Sequence, residues 1–322
     1  MGSFRFQDQR IAYTEFGGGP ALLNGQSGKR GRTARGSSAR KRPVILIHGL
    51  LLSQTMDHPL AEDLAARGNR VITVDLLGHG ASDRPRDMWR YSMASFAQQI
   101  LALMDHLEID QAVVMGTSLG ANTALEIASC APERLRAMVI EMPVLDNALL
   151  ASAITFTPIL VALTFGEPLM KILQRGARSV PRRLLPHYGN VLLDLIRQDP
   201  APGAAVLQGL FFGRIAPHRT ERRTFRTRAL IIGHPRDPVH PFSDAGMLAS
   251  ELENSRLIEA NSLIELRAKP QRLTDEIASF LDEVWSESPK RSSQSRRTRS
   301  SPKTSASSAS GRKPARVRSG VR

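Results

Sequence analysis

The chain has 322 residues, enough for one large domain or two modest ones with an ample core, and its 41% apolar content is ordinary for a globular protein. Its net charge of +14 suggests a nucleic-acid binder until the charge is located: residues 286–322 carry eleven Lys or Arg against one acid, residues 29–42 carry seven and no acid, and the remainder is −3. The single cysteine, Cys130, excludes an internal disulfide, and its place on an apolar helix position predicts a buried, inert thiol.

Taken in chain order, residues 4–6 and 10–16 read as a hairpin of two short strands. The scattered charges of residues 1–16 predict no signal peptide. Residues 21–42, rich in Gly, Ser, Ala and Arg, read as a disordered insertion. Residues 43–47 form a continuous apolar run, as expected of a strand buried on both faces. A helix over 59–67, ended by Gly68, leads to a second buried strand at 70–75. A helix over 93–107, a strand at 111–115, a helix over 119–130 and a strand at 135–142 follow.

This alternation implies an α/β fold: a mostly parallel sheet with helices on both faces. It breaks at Pro143. From about 143 to 226 the pattern is helical, with Pro158, Pro168, Pro181 and Pro186 expected to break it up. Alternation resumes with a strand at 229–233, a helix over 242–252, a strand at 257–259 and a helix over 273–285. No stretch reaches the length of a membrane span; the most apolar, residues 153–166, is short and contains Pro158. A soluble, cytoplasmic protein is expected, with residues 286–322 as a disordered basic tail.

The strongest local feature is Gly116-Thr117-Ser118-Leu119-Gly120, preceded by a strand and followed by a helix. Such a turn holds a serine hydroxyl up at the end of a sheet. It forces the serine into a strained backbone, and side chains at Gly116 or Gly120 would collide with the neighbouring strand and helix.

Three further motifs stand in order around it: Ile47-His48-Gly49-Leu50, the turn from Asp75 to Asp83 (Asp-Leu-Leu-Gly-His-Gly-Ala-Ser-Asp), and the loop from Gly233 to Pro241. With these four motifs, residues 4–285 resemble the α/β-hydrolase superfamily, of the kind with a helical cap between strands six and seven of an eight-stranded sheet. The resemblance implies one hydrolase domain over 1–285, with a cap at about 143–226. It also implies Ser118 as nucleophile, an oxyanion hole from the backbone N–H groups of Leu50 and Leu119, and Asp237 as the acid. Asp146, just after strand six, is the second candidate acid.

The family's catalytic histidine lies in the loop after the last strand. Here residues 257–267 contain none, and the last histidine of the chain is His240. Three alternatives stay open. His240 serves from the acid loop, His187 or His218 reaches in from the cap, or the site lacks a histidine and Ser118 is weakly activated or inert. His48 and His79 read as loop-holding residues, and His234 and His58 as histidines without a distinctive setting. The histidines lack partners at ligand spacing, so no metal is expected, and no cofactor.

The expected activity is hydrolysis of an ester or similar acyl bond in a small, lipophilic substrate. The alternative is an inactive relative serving as a small-molecule or partner-binding module. The apolar residues between Ile154 and Ile172 are expected mostly as core between cap and sheet, some of them lining an acyl pocket. The two basic segments add a possible weak, non-specific anionic partner.

Overall fold

The computed structural model describes residues 1–17 and 42–287. The expected basic insertion (21–42, apart from Arg42) and basic tail (286–322, apart from residues 286 and 287) lie outside the described residues.

Strands β1 (Gly2–Phe6) and β2 (Gln9–Phe16) form the antiparallel hairpin, turned at Gln7 with φ 54°. Next come β3 (Arg42–Ile47), α1 (His58–Ala66), β4 (Asn69–Asp75), α2 (Met93–His106), β5 (Ala112–Thr117), α3 (Leu119–Cys130) and β6 (Leu135–Glu141). Five helices follow before the sheet resumes: α4 (Ala148–Phe165), α5 (Glu167–Arg178), α6 (His187–Arg197), α7 (Pro200–Phe211) and α8 (Arg219–Arg222). The chain ends its described part with β7 (Ala229–Gly233), α9 (Phe242–Glu251), β8 (Ser255–Glu259), α10 (Glu265–Ala268) and α11 (Gln271–Ser286).

The eight strands form one sheet in the order β1-β2-β4-β3-β5-β6-β7-β8, with β3 to β8 mutually parallel. The continuous apolar runs follow from this arrangement. Side chains alternate between sheet faces, and here both faces are covered. On β3, Ile45 and Ile47 join Phe96 and Ile100 of α2 and Leu125 of α3 in one core. Val44 and Leu46 join Leu64 of α1 and Leu273, Ile277 and Leu281 of α11 in the other. Each such side chain, wholly removed from water, contributes about 1.5–3 kcal/mol. Helix α2 starts where Ser92 accepts a bond from Ser95 N at 3.1 Å, a cap of about 1 kcal/mol.

After β3 the chain moves to β4 on one side, then crosses to β5 on the other. The loops after β3 and β5 therefore part at their carboxyl ends and leave a crevice, the place where open α/β sheets bind ligands.

Three sequence expectations are corrected. Pro158 does not break its helix: α4 runs through it, with Pro158 on the exposed side. Consequently α4 has 18 residues with mean hydropathy 2.0 and is long and apolar enough to cross a membrane by length and composition. Much of the apolar sequence from Ile154 to Ile172 is surface rather than core: Ile154 is 66% exposed and Phe165 80%. Finally, Cys130 is exposed, because it is the last residue of α3, where the helix leaves the sheet. Its thiol is nonetheless pushed up, by partial burial first and by Glu126 second, which disfavours the thiolate.

Candidate active site

Ser118 stands between β5 and α3 with φ 54° and ψ −106°, a strained conformation for a residue with a side chain. The turn is tight on both sides. A Cβ on Gly116 would overlap the backbone of Gly120, and one on Gly120 would overlap the carbonyl of Ile47 on β3. The collision inferred from sequence is thus with helix and strand respectively. Gly120→Ala is expected to cost about 3 kcal/mol or more, read as a fall in the urea midpoint, because a backbone atom cannot move aside as a side chain can. A loss below 1 kcal/mol would show that the turn has slack.

The loop after β7 carries the acid and base candidates. Arg236 takes φ 61°, turning the chain so that Asp237 folds back on it. Asp237 Oδ1 accepts from Val239 N at 2.8 Å and His240 N at 2.9 Å, an Asx-type turn. Its Oδ2 lies 2.9 Å from His240 Nδ1, and His240 Nε2 lies 2.9 Å from Ser118 Oγ. A carboxylate accepts only, so Nδ1 carries the proton and Nε2 is left to accept from the serine hydroxyl. Burial pushes the Asp237 carboxyl up, but the bonds from the His240 ring and from two backbone N–H groups outweigh it and hold the carboxyl below its ordinary value.

The other candidates lie elsewhere. His187 Nε2 bonds Thr55 O at 2.8 Å, and His218 caps α8 and meets Thr220. Asp146, the second candidate acid, is 64% exposed and faces Arg222 at 3.5 Å. His48 donates from Nδ1 to Gly49 O at 2.8 Å and accepts at Nε2 from Leu76 N at 3.1 Å, so a neutral ring ties two loops together. Burial lowers its pKa, and lowers that of the adjacent His79 further.

An open cavity lies at Ser118. Leu50 and Leu119 line it beside the serine, and Phe156, Leu207, Leu210 and Phe211 supply much of its apolar wall. Leu119 is the first residue of α3, so its N–H has no acceptor within the helix.

Beneath the serine lies a charged cluster that the sequence patterns did not reveal. Glu141, at the end of β6 and 1% exposed, accepts from Thr117 Oγ1 at 2.6 Å, from Arg267 at 2.8 and 3.3 Å, and from His234 Nε2 at 3.1 Å. Arg267 also donates to Thr117 Oγ1 at 3.0 Å. Burial opposes the Glu141 charge, but Arg267 and then His234 hold the carboxyl well below the carboxylate range. His234 donates from Nδ1 to Ser262 O at 2.9 Å as well; although burial opposes it, the bond to Glu141 raises its pKa. Asp57, close by, is pushed up to about 7 by burial, which the Arg267 charge only partly offsets. An acid closing the buried apolar run from Ala137 to Ile140 of β6 was the available sequence clue.

The family model for the alpha/beta hydrolase fold matches residues 42–163. An uncharacterized protein of Mycobacterium tuberculosis is 27% identical over 272 residues, covering 74% of this chain and 75% of its own length. An AB hydrolase superfamily protein of Bacillus subtilis is 25% identical over 234 residues, 69% of this chain and 84% of its own. Among solved structures, the enol-lactonase from Burkholderia xenovorans LB400 shares the fold with a TM-score of 0.64 and 21% identity, over 87% of this chain and 99% of its own.

Proposed function

We propose that this chain, which belongs to the α/β-hydrolase superfamily, is a serine hydrolase that cleaves an ester or similar acyl bond of a small, lipophilic substrate. The observation that carries the reading is the continuous run of bonds from Asp237 through His240 to Ser118 Oγ, each 2.9 Å long. In this reading Ser118 Oγ attacks the acyl carbonyl while His240 Nε2 takes its proton. Asp237 holds Nδ1–H in place and stabilises the imidazolium that forms.

The N–H groups of Leu119 and Leu50 hold the oxyanion, each worth about 3 kcal/mol in the transition state. His240 returns its proton to the leaving oxygen, and water then releases the acyl group by the same steps in reverse. The apolar wall supports a lipophilic acyl or alkyl group in the substrate. The fold shared with an enol-lactonase supports an ester-like bond, a lactone being a cyclic ester. A weak anionic partner for the basic segments stays a separate proposal, carried by their charge alone.

A fluorophosphonate probe and short p-nitrophenyl esters test the reading. The parent protein is expected to be labelled and to turn over ester, and Ser118→Ala to abolish both. A folded parent protein that takes no label would favour a binding module instead.

A further inference from the structure

The helices between β6 and β7 leave a broad apolar face uncovered. On α4, Leu150, Ile154, Val161 and Phe165 recur at spacings of four, seven and four, one stripe of a helix, and are 50–80% exposed. On α5, Leu169 (58%) and Ile172 (61%) are exposed too, and α4 packs on α5. Single exposed leucines are ordinary, but an extended set on adjoining helices marks an interaction surface. Nor is the stripe a misplaced core. The other side of α4, with Ser152, Ala153 and Phe156, lines the cavity at Ser118.

Charge singles out the partner. Residues 168–193 carry Lys171, Arg175, Arg178, Arg182 and Arg183 and no acid, with Glu167 just before them at the start of α5, and all five basic side chains are exposed. Asp194, just beyond, pairs with Arg182. Apolar side chains beside cations are what an anionic bilayer surface accepts: the former enter the acyl boundary and the latter meet the headgroups.

We propose that α4 and α5 dock this protein on the surface of an anionic lipid bilayer. A second copy of the chain fits less well, because a two-fold interface through this face would bring the basic set against itself. Spanning fits less well also, because α4 packs on α7 and lines a cavity, and so cannot meet lipid all round. The inference stands apart from the reading of Ser118.

The test is flotation of the full chain with vesicles of phosphatidylcholine alone or mixed with phosphatidylglycerol. Binding is expected on the anionic vesicles, and the triple variant Ile154→Gln/Phe165→Gln/Ile172→Gln is expected to lose about tenfold or more of it while keeping its circular dichroism and melting temperature. Phe165→Trp supplies a second readout, since its emission is expected to shift to the blue on anionic vesicles.

Absence of binding to either vesicle overturns the proposal. So does binding that the triple variant keeps, which assigns it to the basic segments. Resistance to alkaline carbonate extraction overturns it in favour of a span. A lipid-free dimer that the triple variant converts to monomer overturns it in favour of self-association.

Discussion

Replacing His240 by alanine is expected to lower kcat/KM for a short p-nitrophenyl ester by about 10³-fold or more. Its Nε2 is 2.9 Å from Ser118 Oγ, while His187 and His218 are engaged with Thr55 and Thr220. In the proposed mechanism nucleophile and base act as one unit, so Ser118→Ala/His240→Ala should be little slower than either single variant. Asp237→Asn is expected to lose about 10⁴-fold without unfolding, because an amide favours the wrong imidazole tautomer. Steady-state kinetics on the four variants decides it. Should His240→Ala keep its rate while His187→Ala or His218→Ala loses it, the base lies in the helical segment and the proposed site must be redrawn.

Arg267→Ala should destabilise the fold by about 3 kcal/mol, since it strips the main cation from a buried carboxylate. The cost comes from the uncompensated charge of Glu141. Hence Arg267→Ala/Glu141→Gln is expected to be more stable than Arg267→Ala alone, by urea unfolding at neutral pH. A double variant less stable than the single would overturn this account.

The pH dependence has a definite sign. Glu141 is held below its unfolded value, so its contribution is complete above the ordinary carboxylate pKa of about 4.3 and is lost as the pH falls through the folded value. The gap in stability between the parent and Glu141→Gln should therefore narrow on acidification. His234 works the other way. Its raised pKa makes its contribution complete below about 6.5, fading as the pH rises through the folded value.

Much of the sheet was legible from sequence because β3 to β7 are buried on both faces, and burial of that kind demands continuous apolar runs such as Val44 to Ile47. The strained turn at Ser118 was legible because its two glycines answer to a local steric demand. His240 was legible only as one of three alternatives. Three residues is close for a carboxylate and an imidazole to meet, and the positive φ of Arg236 and the Asx-type turn at Asp237, which bring the pair within reach, leave no mark in the sequence. Glu141, His234 and Arg267 were hidden because their partnership spans 93 and 126 positions of chain. The open stripe on α4 was hidden for another reason: hydropathy ranks a side chain's dislike of water but does not say whether anything covers it.

The loop after β7 also decides which motions can disturb the site. In Asp237 and His240 the spacing of carboxylate and imidazole is closed within four successive residues by their own backbone, so breathing between β7 and β8 leaves it intact. One distance remains adjustable, from the imidazole to the hydroxyl. The segment is in that sense a portable cassette, whose grafting onto another sheet would require aiming a single ring.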